Sequence, residues 1–381
     1  MDLRSYLRHV DYSLLAVVLV LTGYGVAMIF FATRDDPLPR PTYYAGYQLT
    51  YGVVGLVVMV GLSLIDYERF RQWQWPLYVF VLVSIAAVFV IGPVTRGSRR
   101  WIETPFFNFQ PSELALAILI VGLAAFLTDR LQELGRWRVT LLALAYVAVP
   151  AAMVFAQPDF GTTTVFVVMV MTALLFFGTP WSHFAAIAGA LAGVAVVALK
   201  LLPMAGVHVV HQYQIDRLLV FIDPGRDPQG AGYNVTQSVI AVGSGALHGR
   251  GDQASQTALD FLPEHHTDFI FAVIGERQGF VGGAVLLALF VFLVWRSLRI
   301  ATLSRDLHGS IIAGTIAAMF LFEVFVNVGM TIGIMPVTGI PLPFISYGGA
   351  ALITNLMMIG VLESIHLRSR IDPEGSGRGY R

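Results

Sequence analysis

Asp268 ends the stretch Phe261-Leu262-Pro263-Glu264-His265-His266-Thr267-Asp268 and is followed at once by Phe269-Ile270-Phe271. A carboxylate therefore stands where a polar loop runs into an apolar segment. Partial desolvation at such a place raises the proton affinity of a carboxyl group and suits it to act as a general base. The same position also suits an N-cap for the helix that follows, a role open to Thr267 as well. Glu264, His265 and His266 lack the H-E-x-x-H spacing that sets two imidazoles on one helix face, so no residue is assigned as a metal ligand.

Four other polar islands carry chemistry. Arg96-Gly97-Ser98-Arg99-Arg100-Trp101 puts three guanidinium groups beside an interfacial aromatic residue, and guanidinium forks match the oxygens of a pyrophosphate. Gln110-Pro111-Ser112-Glu113 follows it; Ser112 can cap a helix there, and Glu113 suits both the positive end of that helix and acid–base work. Gln157-Pro158-Asp159-Phe160-Gly161-Thr162 is a turn in which Asp159 can cap the next helix. Asp216-Arg217 and Asp223-Pro224 read as contacts that order a loop, with Arg217 a further cation. Residues 338–349, Thr-Gly-Ile-Pro-Leu-Pro-Phe-Ile-Ser-Tyr-Gly-Gly, are too rich in proline and glycine for a regular helix. Irregular backbone at membrane depth is tolerated where it is buried in protein or lines a cavity, so this island, with Ser346, is expected to wall the site. Glu323 and Asn327 lie inside an apolar run, and polar groups there are functional suspects.

The elements that must position these residues are membrane helices. The 381 residues are 56% hydrophobic and 13% charged, where a soluble domain carries about 25% charged residues. Net charge is zero, which gives no bulk attraction to nucleic acid, and the absence of cysteine removes disulfides, thiol catalysis and zinc–thiolate sites. Apolar runs of roughly 17–25 residues span a bilayer core of about 30 Å. Candidates lie at 14–31, 48–65, 75–91, 112–127, 139–155, 162–177, 183–200, 269–298, 310–332 and 344–366, so the expected fold is an all-α polytopic membrane protein of about ten transmembrane helices. The run 269–298 is long enough to include a turn outside the membrane. The first run is too long for a signal peptide's apolar region and no small-residue cleavage site follows it, so an uncleaved helix is expected.

The longest segment outside the spans, 203–268 between the seventh and eighth helices, shows no strong helix or strand pattern. Its apolar anchors Tyr213, Leu218, Phe221 and Tyr233 argue against disorder, and it is expected to fold back over the membrane domain. Arginines concentrate in short loops on one side (Arg4, Arg8, Arg69, Arg71, Arg136, Arg305, Arg368), which puts both termini in the cytoplasm and the long loop outside. Arg96, Arg99 and Arg100 sit on the outer side, against that bias. Residues 1–371 read as a single domain and 372–381, with Gly-Ser-Gly-Arg-Gly, as a flexible tail.

Together these islands resemble the SEDS family (shape, elongation, division and sporulation) across nearly the whole chain. The carrying motifs are Arg100-Trp101, Gln110-Pro111-Ser112-Glu113, Gln157-Pro158-Asp159-Phe160-Gly161-Thr162, Gly232-Tyr233 with Gln237-Ser238, His266-Thr267-Asp268-Phe269-Ile270-Phe271, and 336–349. Phe221-Ile222-Asp223-Pro224 and Asp227-Pro228-Gln229-Gly230-Ala231-Gly232-Tyr233 are more similar to the elongation (RodA) branch than to the division (FtsW) branch. The resemblance implies a peptidoglycan glycosyltransferase of the bacterial plasma membrane that polymerises lipid II and releases polyprenyl pyrophosphate. It implies Asp268 as the essential outer-face carboxylate and a class B penicillin-binding protein, a transpeptidase, as partner. Leu116 stands where the family usually has a lysine, so a Glu113–lysine pair is not expected. Arg277 replaces a second glutamate after Glu276, and Ala350-Ala351 replace two serines.

The site expected from these readings has Asp268 as catalyst, with Arg100, Arg217, Glu113, Asp159, His266 and Ser346 in contact with substrate. Charge on the leaving group calls for arginines, a divalent cation such as Mg or Mn, or both. Two rival readings remain at this stage. One is a flippase for lipid II gated by Glu323 and the broken helix before Phe344; the other is a scaffold that positions a transpeptidase without catalysing.

Overall fold

The computed structural model describes residues 3–34, 42–93, 99–103, 108–197, 202–204, 221, 223, 225, 227, 230–254, 256 and 261–371. Arg96, Tyr213, Asp216, Arg217, Leu218 and the 372–381 tail lie outside the described residues. The helices are α1 (Leu3–His9), α2 (Tyr12–Thr33), α3 (Tyr43–Leu64), α4 (Tyr67–Gln72), α5 (Gln74–Ile91), α6 (Pro111–Thr128), α7 (Trp137–Ala156), α8 (Phe160–Phe177) and α9 (Trp181–Val196). After the long segment's α10 (Ala231–Ser244) come α11 (Ile270–Leu303), α12 (Leu307–Thr331) and α13 (Gly349–Ile371). Among the described residues nine helices are long and apolar enough to cross a membrane, and α9 is a shorter apolar helix in the seventh position. The all-α polytopic expectation therefore holds, with a two-stranded antiparallel hairpin, Ile102–Glu103 against Asn108–Phe109, as its one addition among the described residues.

Burial sorts the helices into centre and rim. In α6 and α13 78% of the apolar window is buried, against 17% in α5, so the first two form the core and α5 faces lipid. α3 packs most extensively on α13, and α11 on α12. α9 stands at the edge: among its described residues His183 alone is buried, held at 2.8 Å by the Thr140 hydroxyl and stacked on Trp137 at 3.8 Å.

One end of the bundle collects both chain termini. Tyr6 of α1 shares a 3.0 Å hydrogen bond with Ser63 at the end of α3, and Arg368 of α13 donates to the carbonyls of Ser63 and Leu64. Asp11 caps α2 through the Ser13 and Leu14 amides, pairs with Arg296 of α11, and donates its own amide to Glu363 of α13 at 2.6 Å. Burial pushes the Asp11 carboxyl up, but hydrogen bonds from Arg296, Ser13 and Leu14 outweigh it and hold the group below its ordinary value. This staple therefore contributes stability above the ordinary carboxylate range and loses it as pH falls through the lowered value.

The opposite end is irregular, and it departs from the sequence reading in two places. The long segment is not free of regular structure: α10 packs against α11, and its Ser238 hydroxyl bonds the Thr331 carbonyl at the end of α12 at 2.8 Å. The tenth span starts at Gly349 rather than at 344, because Phe344 takes a left-handed conformation (φ 64°) in a buried, non-helical turn. That turn lies against Gly25 of α2, where a Cβ would come within 2.4 Å of the Phe344 carbonyl oxygen. Within 269–298 there is a break inside one helix in place of the expected turn outside the membrane. Gly279 breaks α11 at φ 66°, and the amides freed by the break, Phe280 and Val281, donate to the carbonyls of Ala246 and Leu247 at 2.9 and 3.1 Å. The backbone opened by the break thus finds protein partners.

The division into two ends is open to a direct check. With no native cysteine to interfere, of Gln132→Cys, at one end, and Gln253→Cys, at the other, one is expected to react with an impermeant maleimide added to intact spheroplasts and the other only after lysis. Labelling of both from one side would overturn the arrangement.

Candidate active site

The irregular end holds a cavity of about 590 Å³. Its walls are the starts of α6 and α8, the last third of α12, residues 264–268, the turn at 338–351, and the Arg100 hairpin. Arg100, Glu113, Asp159, His266 and Asp268 all line it. Ser346 lies behind the wall, and Arg217 lies outside the described residues.

Asp268 is held by its backbone. The carbonyls of His266, Thr267 and Asp268 accept in succession from the Tyr347 amide (3.0 Å), the Ser346 hydroxyl (2.7 Å) and the Asn327 side-chain amide (2.9 Å). Asn327 gives its other N–H to the Ile340 carbonyl at 2.8 Å, and Ser346 Oγ accepts from the Leu342 amide at 2.8 Å. The buried Gln48 of α3 closes the turn by donating to the Ser346 carbonyl (3.0 Å) and accepting from the Gly348 amide (3.2 Å). With the carbonyls tied on one side, the side chains of His266, Thr267 and Asp268 face the cavity. Neither Thr267 nor Asp268 serves as the N-cap: Phe269 holds that position, without a side-chain cap bond.

His265 plays a different part from His266. Its ring nitrogens lie 2.9 Å from the Leu262 carbonyl and 3.1 Å from that of Ala32, which ties the loop to the end of α2. His266 packs against Tyr44 with ring centroids 4.6 Å apart. Tyr347 shares a hydrogen bond with Tyr51, and burial pushes its phenol well above the ordinary tyrosine value, so it stays protonated.

Asp159 does cap α8, accepting from the Thr162 amide (3.2 Å) and hydroxyl (3.0 Å), and it also receives the Gln110 side-chain amide at 3.3 Å. Arg100 lies 3.8 Å from it and donates to the Pro158 carbonyl. Ser112 is not the cap of α6; Gln110 holds that position and its amide donates to the Ser112 hydroxyl at 3.2 Å. Among the described lining residues Glu103, Glu113, Asp159, Glu264, Asp268 and Glu323 are carboxylates, and Arg100 is the guanidinium. Leu116 contributes an apolar contact where a lysine would have paired with Glu113.

The FTSW_RODA_SPOVE family model, cell cycle protein, matches residues 12–371. The chain belongs to this family. It is 36% identical to peptidoglycan glycosyltransferase MrdB of Escherichia coli K12 over 367 residues, 95% of each chain. It is 35% identical to stage V sporulation protein E of Bacillus subtilis 168, covering 94% of this chain and 98% of that one. Among solved structures, a chain of a peptidoglycan synthase complex that coordinates polymerization and crosslinking superposes with a TM-score of 0.80 at 29% identity, over 95% of this chain and 99% of that one. The rod shape determining protein RodA of Thermus thermophilus gives 0.67 at 26%, over 95% and 98%.

Sequence reasoning passed over Gln48, Tyr51, Glu103 and Asn108. Gln48 carried a signal, since a glutamine inside an apolar run needs a partner; Tyr51 and the hairpin residues carried none until the fold brought them to the cavity.

Asn327→Leu keeps the branched shape and removes both donors to the Asp268 and Ile340 carbonyls. The expected loss is about 1–3 kcal/mol, read as a lower melting temperature in detergent. An unchanged melting temperature would show that these carbonyls do not depend on Asn327.

Proposed function

We propose that this protein is a peptidoglycan glycosyltransferase that polymerises lipid II into glycan strands during cell elongation. The observation that carries the reading is the Asp268 carboxylate, set into a cavity at the irregular end by three backbone anchors. Asp268 takes the proton from the 4-hydroxyl of the acceptor's N-acetylglucosamine. That oxygen bonds to the anomeric carbon of the donor's N-acetylmuramic acid as the bond to polyprenyl pyrophosphate breaks. Single displacement inverts the anomeric centre. A positioned base of this kind contributes about 10²–10⁴-fold.

Arg100 is the described cation nearest to serve the leaving group, and its lean on Asp159 sets its direction. Glu113, Asp159 and His266 line the space the substrate fills, and Ser346 acts through Thr267. A divalent cation fits here as a partner of substrate rather than as a protein-only centre. Among the described residues no three or more His, Cys, Asp or Glu are grouped to hold an ion, whereas Mg needs one or two carboxylates when phosphates supply the rest. Glu113, Asp159 and Glu264 are the carboxylates available to it, and bound there it would neutralise charge on the pyrophosphate.

The arginine bias sets the end that holds the termini in the cytoplasm and the cavity outside, in a bacterial plasma membrane. A class B penicillin-binding protein is the partner this reading calls for, in line with the synthase complex that the chain resembles. The flippase reading is disfavoured because the cavity gathers helix starts and loop residues at one end instead of crossing the bundle.

Asp268→Asn keeps size and backbone anchors, so it is expected to lower polymerisation of purified, reconstituted protein on labelled lipid II by about 100-fold or more at unchanged melting temperature. Polymer at the wild-type rate would refute the base assignment, while flipped lipid without polymer would favour transport, and neither product a scaffold. Arg100→Lys is expected to recover part of the activity that Arg100→Ala loses, because an ammonium keeps the charge and loses the fork. Equal activity of the two, with lowered stability in both, would reduce Arg100 to a support for the 158–159 turn.

A further inference from the structure

α3 begins with a row of tyrosines that the mechanism above does not use. Tyr43, Tyr47 and Tyr51 recur every four residues, so they share one helix face and rise about 6 Å from each to the next. Their rings form a continuous series, with centroids 4.8 Å apart between Tyr43 and Tyr47 and 6.0 Å between Tyr47 and Tyr51. The series enters the cavity: Tyr51 lines it and shares a hydrogen bond with Tyr347, which also lines it. Tyr44 flanks the row, 5.0 Å from Tyr347 and 4.6 Å from His266. The outer members are open, Tyr43 being 44% and Tyr47 39% exposed.

An interfacial aromatic belt explains one ring at head-group level. It does not explain a row that advances two helical turns and ends on the wall that carries Asp268. Nor does core packing explain it, since the outer two rings are exposed. The chemistry of the row fits a neutral sugar. A pyranose ring offers C–H groups on its face, which an aromatic quadrupole attracts, and hydroxyls at its rim, which a phenol can donate to or accept from. No charge is needed, which suits a cavity whose described lining holds a single guanidinium. The row also lies on a different wall from Arg100, which sits against the start of α8.

We propose that Tyr43, Tyr47 and Tyr51, continued by Tyr347, form a track that binds the pyranose rings of the glycan strand next to the sugar reacting at Asp268. The track rests on the glycosyltransferase reading for its biological ligand, and its binding chemistry can be tested without turnover. It holds the strand between additions, so losing it shortens the polymer.

The probe is a soluble, lipid-free oligosaccharide of alternating N-acetylglucosamine and N-acetylmuramic acid, followed by saturation-transfer NMR on the full-length protein in detergent. Beside it runs the length distribution of glycan made from lipid II in proteoliposomes. The variants are Tyr43→Leu/Tyr47→Leu, which stays apolar but loses the ring faces, and Tyr43→Trp/Tyr47→Trp, which keeps them. Wild type and the Trp variant are expected to bind the oligosaccharide and make long glycan. The Leu variant is expected to bind about tenfold more weakly and to make shorter strands. Equal binding and length in the Leu and Trp variants overturn the track, as does a fall in melting temperature with unchanged strand length, which marks a membrane anchor only. Oligosaccharide binding that the Leu variant loses, in a protein that makes no polymer, supports the track and sinks the polymerase reading instead. Failure of the wild type to bind overturns the track whatever its activity.

Discussion

Three consecutive carbonyls, those of His266, Thr267 and Asp268, are satisfied by one amide and one hydroxyl from the segment that joins α12 to α13 and by one carboxamide from α12 itself. The rest of the outer end depends on this exchange. Neither the 264–268 stretch nor the 338–348 turn is helical, so each needs partners for its peptide groups from outside itself. Each supplies partners for the other, and Gln48 and Asn327 add two carboxamides that bond backbone from within the helices. Two buried amides that look expensive in an apolar helix are therefore part of the backbone's own hydrogen bonding. Because the carbonyls are committed on one side, the His266 and Asp268 side chains turn to the other, into the cavity.

The charge balance of that cavity constrains what can sit in it. Carboxylates outnumber the guanidinium among the described lining residues, and Arg100 already leans on Asp159. The described guanidinium of the lining stands at the Arg100 side, which is where a dianionic pyrophosphate would find a cation of the protein. The Tyr51 and Tyr347 wall asks for a neutral, hydroxyl-rich group. Leu116 sharpens this division, because a lysine there would have placed a second positive charge beside Glu113.

Legibility in the sequence followed the physics of each signal. Apolar length is a strong signal, so the spans were readable; the excess length of 269–298 suggested a turn outside the membrane, where Gly279 makes a break inside the helix. Hydropathy set the start of α13 too early, at 344, because Leu342, Phe344 and Ile345 are buried whether or not they are helical, whereas the prolines and glycines of 338–349 marked that stretch as irregular, as it is. α10 was missed for want of a start signal: Gly230 precedes it without a side-chain cap, and its apolar positions gain meaning from α11. At the site, Arg100, Glu113, Asp159, His266 and Asp268 stood out as polar groups beside turns or at membrane borders. Tyr51 did not, since a tyrosine early in a membrane span reads as an ordinary belt residue.

The break at Gly279 bears on how Asp268 is set. Without it, α11 would run as one rod of 34 residues, and the direction of its first turns would be fixed by packing at the opposite end of the membrane. With it, residues 270–278 form a short helix whose direction is set locally, by α10 and by the Ala246 and Leu247 carbonyls that receive the amides of the second half. Asp268 lies just ahead of that short helix, at the end where a helix carries partial positive charge. The break lets that end be set independently of the span below.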